Sequence, residues 1–227
     1  MTPEQNEEAA IRLFEAEKTG RQCGLLSLAY PGMTLDDAYA VQSALVARKR
    51  ASGLGIIGWK IGLTSRAMQQ ALNITTPDSG VLLEDMLFAN GAGIPAGRFI
   101  QPRVEAEIAF VMKTDLAGAN VTRDDVLAAT AHVAPSLEIL DTRILRADPE
   151  TGKARIITDT ISDNAAAPTA PHRGCIPTID VTYNCLRRVE GAARSTWQYS
   201  AGCVDAQISQ GLMTSSNVAE GFIAFTS

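Results

Sequence analysis

Residues 102–111 read Pro102-Arg103-Val104-Glu105-Ala106-Glu107-Ile108-Ala109-Phe110-Val111, a short apolar run broken by two acids two positions apart. Strand side chains alternate between two faces, so Glu105 and Glu107 project together with Ala109 and Val111, while Val104, Ala106, Ile108 and Phe110 take the other side. The first face is an apolar surface carrying two neighbouring carboxylates. Like charges so close are costly unless a cation lies between them. A divalent metal would meet that need.

A third acid, Glu138, stands in Leu137-Glu138-Ile139-Leu140, inside a strand predicted from Ser136 to Leu140. Three carboxylates without histidine favour a hard, oxygen-seeking ion such as magnesium or manganese over zinc. The competing reading puts Glu105 and Glu107 on a solvated strand face and pairs Glu138 with Arg103 or Arg143. Spacing leaves both open.

Working outward, Thr2-Pro3-Glu4 signals a helix start, and Ala9, Ala10, Leu13 and Phe14 share one face until Gly20. Thr34 with Asp37 resembles a capping box. It opens a second helix whose stripe, Ala38, Val41, Leu45 and Val46, runs until Gly53 and Gly55. Ile56 to Leu63 reads as a strand, followed by a short helix capped by Thr64-Ser65 and running through Leu72. Val81–Leu83 and Met86–Phe88 lead into Asn90-Gly91, which suggests a hairpin. Val104 to Met112 is the strongest strand, Thr122 to His132 a helix with Asp124 and Asp125 in its first turn, and residues 148–153 a turn.

The chain has 227 residues, 46% hydrophobic and 20% charged, which fits one folded domain and argues against a disordered, collagen-like or coiled-coil protein. A net charge of -5 gives no footprint for nucleic acid. Two histidines, His132 and His172, and four cysteines without a CxxC pair make a zinc site hard to assemble, and both histidines read as structural. The N-terminus MTPEQNEEAA lacks the marks of a secretory signal, and no apolar run approaches the ~18 residues of a membrane span. The expectation is a cytoplasmic protein with reduced thiols and no membrane partner.

A second candidate for chemistry is Gly58-Trp59-Lys60-Ile61-Gly62. A lysine inside an apolar strand, bordered by glycines that let a ligand approach the backbone, could bind a carboxylate or polarise a carbonyl. The commoner alternative is an edge-strand lysine reaching solvent along its stem. Residues 53–58 formally satisfy GxGxxG, but here helix precedes strand, the reverse of the dinucleotide fingerprint. Asp78, in Thr76-Pro77-Asp78-Ser79-Gly80, reads as a turn residue, and Thr160-Ile161-Ser162-Asp163-Asn164 as a polar cluster or turn.

The segments WKIGLTSRAMQ, PDSG, RFIQPRVEAEIAFV, PSLEILDTR and DPETGKARIITDTISDNAA together resemble the 2-hydroxypentadienoate and 2-oxohept-ene-1,7-dioate hydratases, with the sister 4-oxalocrotonate decarboxylases, of the fumarylacetoacetate hydrolase superfamily. DPETGKAR and DTISDNAA look most like the oxohept-ene-dioate branch. The resemblance implies a mixed α/β fold with N-terminal helices and a rolled, barrel-like β core, incomplete on its C-terminal side. It implies that Glu105, Glu107 and Glu138 hold magnesium or manganese. Lys60 would contact the substrate carboxylate or 2-oxo group, Asp78 would help transfer protons, and Ser162 would line the pocket.

The activity so implied is a lyase reaction of aromatic-compound catabolism: hydration of a small 2-oxo or 2-hydroxy unsaturated acid, most of all 2-oxohept-ene-1,7-dioate, to a 4-hydroxy-2-oxo acid. The alternatives are a 4-oxalocrotonate-type decarboxylase or an inactive remnant acting as a subunit. Assembly is expected as a homo-oligomer, or with a paralogous decarboxylase.

The resemblance stops after Asn164. Residues 1–164 carry 37 charged side chains, whereas 165–227 carry eight, no lysine, and three of the four cysteines. The chain is therefore read as one catalytic domain in three stretches: a helical region at 1–54, a β-rich family-like core at 55–164, and a tail at 165–227 that is replaced, frame-shifted or naturally diverged.

Overall fold

The computed structural model describes residues 1–63, 69–70, 75, 77–89, 92–164, 169–171 and 222–225. The Asn90-Gly91 turn, nearly all of the helix expected after Leu63, His172 and three of the cysteines lie outside the described residues.

Helix α1 (Pro3–Thr19) starts where its cap signal lies. Thr2 Oγ1 accepts from the Gln5 amide and Gln5 Oε1 from the Thr2 amide, and Gly20 ends the helix at φ 67°. A short α2 (Leu26–Ala29) follows, and α3 (Leu35–Ala51) opens on the Thr34–Asp37 box. These caps satisfy amides that a helix start leaves without partners. Ala9, Ala10 and Leu13 of α1 and Val41 and Leu45 of α3 bury against Leu25, Leu26, Leu82, Leu83, Met86, Ala109 and Ile144. Each buried leucine contributes about 1.5–3 kcal/mol relative to an exposed one, so this core fixes the helices against the sheet.

The sheet has six strands: β1 (Ile56–Gly62), β2 (Asp78–Leu83), β3 (Arg103–Met112), β4 (Thr130–Leu140), β5 (Thr169–Pro171) and β6 (Phe222–Phe225), in the order β2-β1-β6-β3-β4-β5. All neighbours pair antiparallel except β3 and β6, which are parallel. The molecule is thus mixed α/β with N-terminal helices. Ala109 and Val111 turn to the helical core, as the alternation of residues 104–111 requires, while Phe110 and Met112 form a small second cluster with Ala129 and Val133.

Four expectations need correction. The helix predicted from Thr122 to His132 is α4 (Arg123–Ala129); Thr122 and Asp125 form its capping box, but Thr130, Ala131 and His132 join β4. Pairing of Met112 with Thr130 and Val111 with His132 outweighs the continuing helical pattern, so exposed His132 is a strand residue rather than a helix end. Asp78 opens β2 instead of occupying a turn. Glu84–Met86 forms a 3-10 turn between the two apolar runs, so Val81–Leu83 closes β2 instead of running on toward Asn90-Gly91. Finally, the polar run at 160–164 belongs to α5 (Ile157–Asp163). Asp159 secures its start, accepting from the Ile156 and Ser27 amides and the Ser27 hydroxyl. Among the described residues no helix is long and apolar enough to cross a membrane.

Candidate metal and substrate site

The β3–β4 register places Glu105 opposite Glu138 and Glu107 opposite Ser136. Directly opposed residues of an antiparallel pair share a face. Carboxylate oxygens of Glu105, Glu107 and Glu138 accordingly lie within 4.8 Å of one another, the only group of this kind among the described residues. Glu107 and Glu138 are buried and Glu105 half-buried. The donor set is three hard oxygens in a dry place, which fits an octahedral magnesium or manganese ion and offers zinc none of its preferred nitrogen or sulfur ligands.

Lys60 reaches the same place. Its Nζ donates to Glu138 Oε1 at 2.7 Å, and both side chains are buried. The solvent-seeking lysine is overturned because β1 lies between β2 and β6 rather than at an edge, and Glu138 pairs with Lys60 instead of Arg103 or Arg143, the latter being held by Glu17 and Asp163. Lys60 on β1 and Glu138 on β4 are separated in the strand order by β6 and β3, yet their side chains meet. Burial alone would push the Lys60 ammonium down, but Glu138, with Asp78 and Glu105 behind it, outweighs burial and holds its pKa above the ordinary value. For Glu105, burial and then Glu138 push the carboxyl up, against the pull of Lys60 and Arg103. One lysine does not neutralise three acids.

Asp78 enters from β2, opposite Gly62 of β1. Its Oδ2 accepts from Asn164 Nδ2 at 2.8 Å in buried surroundings. The glycine at 62 is explained by this neighbour rather than by an approaching ligand, since a Cβ there would collide with Asp78 Oδ1. At Gly80 a Cβ would collide with the Asn164 carbonyl and stand 3.1 Å from Lys60 Cε.

Helix α5 delivers Asn164 and is held from several sides. Gln42 of α3 donates to the carbonyls of Ser79 (3.0 Å) and Ile161 (2.8 Å), tying β2 to α5. Buried Arg143 donates from Nε to Asp163 Oδ1 at 2.7 Å, from its amide to Asp163 Oδ2 at 3.0 Å, and from Nη1 to Glu17 Oε2 at 2.9 Å; it also meets the Asp163 carbonyl. Lys49 joins Glu17 at 2.9 Å. Ser162 is fully buried and donates back to the Thr158 carbonyl at 2.9 Å, so its hydroxyl is occupied within the helix.

Lys60, Asp78 and the three glutamates therefore converge as the sequence reading anticipates, while Ser162 sits inside α5. Asn164, Gly62 and Gly80 are the additions. Asn164 stood in the quoted DTISDNAA segment without a role, and only an α5 assignment would have pointed its side chain at β2.

No protein-family model matches the chain. A 2-oxo-hept-4-ene-1,7-dioate hydratase of Escherichia coli is 52% identical over 157 residues, covering 69% of this chain and 59% of the relative. A 2-hydroxyhexa-2,4-dienoate hydratase of Comamonas testosteroni is 45% identical over 157 residues, 68% of this chain and 57% of the relative. The chain thus spans just under three fifths of these relatives' lengths. Among solved structures, a 4-oxalocrotonate decarboxylase from Pseudomonas putida G7, complexed with magnesium and adipate, superposes with a TM-score of 0.70 at 30% identity, covering 80% of this chain and 66% of that one.

Proposed function

We propose, from the premise that the matched part of this chain belongs to the hydratase and decarboxylase family of the fumarylacetoacetate hydrolase superfamily, that it is a divalent-metal-dependent hydratase acting on a 2-hydroxy-dienoate or 2-oxo-enoate. The observation that carries the reading is the meeting of Glu105, Glu107 and Glu138 with Lys60 in one buried cluster. The substrate favoured by the similarity to the Escherichia coli hydratase is 2-oxo-hept-4-ene-1,7-dioate. The ion is magnesium or manganese, held by the three glutamates, and when bound it supplies electrostatic stabilisation to negative charge on the substrate's 2-oxygen.

The chain's own residues supply the rest. Lys60, oriented by Glu138, presents its ammonium to the substrate carboxylate or 2-oxygen and stabilises charge there as the dienol tautomerises. Asp78, its Oδ2 fixed by Asn164, moves the proton at the substrate carbon as general acid and base. Water's oxygen then bonds to C4 and a proton adds at C3, which consumes the double bond without any oxidant or reductant. Burial of Lys60, Asp78 and Glu138 keeps bulk water from the charges. Ser162 acts from α5 as part of the pocket wall. The meeting of Lys60 and Glu138 across two intervening strands supports a rolled β core, and the assembly is a homo-oligomer of single-domain subunits working in the cytoplasm.

The test is to add magnesium or manganese to the purified protein and follow the dienoate's ultraviolet absorbance together with carbon dioxide. Loss of absorbance without carbon dioxide supports hydration. Loss with carbon dioxide supports the decarboxylase reading, which the likeness to the Pseudomonas putida structure favours. No loss with either ion sinks both.

A further inference from the structure

Ser136 lies on β4 two residues before Glu138 and directly opposite Glu107. Residues two apart on a strand share a face, as do opposed residues of an antiparallel pair. Its side chain therefore projects to the side where the three glutamates converge. Ser136 is 5% exposed. Its Oγ is closed off from solvent and has no hydrogen-bond partner among the described residues.

A hydroxyl that loses water without gaining a partner is destabilising, and buried hydroxyls are nearly always satisfied. Other buried hydroxyls turn back onto local backbone, as Thr130 at the end of α4 does onto the Val126 carbonyl and Ser162 within α5 onto the Thr158 carbonyl. Ser136 does not. An apolar residue of similar size would fill the position without an orphaned oxygen, so the hydroxyl points to a partner that arrives with the ligand.

We propose that Ser136 is a positioning residue of the metal centre, its hydroxyl holding a water of the ion's coordination shell beside Glu107. The inference rests on the metal reading above. An ion with three carboxylate ligands and octahedral demand keeps waters in its remaining positions, and groups that orient such outer oxygens affect metal affinity by about 10–100-fold. Hydroxyl hydrogens rotate freely, so Ser136 can donate to one oxygen while accepting from another.

The test compares the wild-type chain with Ser136→Ala and Ser136→Cys, measuring manganese affinity by electron paramagnetic resonance and melting temperature with and without the ion. Ser136→Ala should bind manganese about tenfold more weakly. Without metal it should melt no lower than wild type, since an unsatisfied hydroxyl has been removed, and it should gain less on adding manganese. Ser136→Cys keeps the size with a weak donor and should fall between. A purely structural role reverses the pattern: a lower metal-free melting temperature with manganese affinity within twofold of wild type, and that result overturns the proposal. If the wild-type chain itself binds no manganese, the metal reading has failed and this inference falls with it.

Discussion

Asn164 Nδ2 donates to Asp78 Oδ2 at 2.8 Å, joining the end of α5 to the first residue of β2. The contact fixes the Asp78 carboxylate, whose Oδ1 lies against Gly62, and makes its orientation depend on the end of α5.

Asn164→Ala should lower kcat by about tenfold with a smaller change in KM, because Asp78 loses orientation while Lys60 and the glutamates stay in place. It should also cost about 1–3 kcal/mol for leaving a buried acceptor unsatisfied. Asn164→Asp puts a second carboxylate against Asp78 and should be worse on both counts. Steady-state kinetics and thermal melting check this; equal kcat in all three proteins would remove Asn164 from the mechanism.

Gly80→Ala should destabilise by about 1–3 kcal/mol, the range for overpacking, since the new methyl meets the Asn164 backbone rather than a movable side-chain tip. Gly62→Ala displaces the Asp78 carboxylate and should lose turnover. Gly24→Ala, which meets nothing within 4 Å, is the control and should stay within about 0.5 kcal/mol. Chemical denaturation ranks the three.

Lys60→Met and Glu138→Gln separate substrate handling from metal binding. Breaking a buried pair from one side costs about 3–5 kcal/mol, so both should melt earlier. With the ammonium gone, Lys60→Met should bind manganese at least as tightly as wild type yet lose turnover. Glu138→Gln should lose both. Manganese titration and activity, measured side by side, would refute the assignment if Lys60→Met weakened the ion as much as Glu138→Gln.

The raised pKa of Glu105 sets a sign for pH. Its folded value lies above the ordinary 4.5, so the folded state holds this proton where the unfolded chain has released it. Without metal, Glu105 therefore makes stability fall as pH climbs from about 4.5 through the raised value. Metal affinity should rise across the same window, with proton release on binding. Chelation should accordingly lower the melting temperature more at pH 7 than at pH 5. Calorimetric titration in buffers of different ionisation enthalpy reads the released proton directly.

Much of this site is legible in local pattern. The period-two spacing of Glu105 and Glu107 in an apolar strand, and Glu138 set among Leu137 and Ile139, locate the carboxylates because strand alternation is a local rule. Thr2, Thr34 and Thr122 mark their helix starts because capping needs only four consecutive residues. What escapes is long-range. Lys60 meets Glu138 across 78 positions of chain and Asn164 meets Asp78 across 86. The helix at 157–163 is short, polar and buried on Thr158, Asp159 and Ser162 as well as Ile161, so no apolar stripe announces it. The failure at Thr130–His132 has the same origin: partners on β3, distant in sequence, override a pattern that reads as helix.

The placement of β6 bears on how the molecule comes together in time. Lys60 and Asp78 ride on the β1–β2 pair, and the three glutamates on the β3–β4 pair; among the described residues the sheet links the two pairs only through residues 222–225. Each pair closes over a modest stretch of chain, whereas the four-residue strand between them must return from more than a hundred residues away, and such non-local closure is slow. The topology predicts that β6 joins the two pairs late, and until it does the facing edges of β1 and β3 are open to wrong partners.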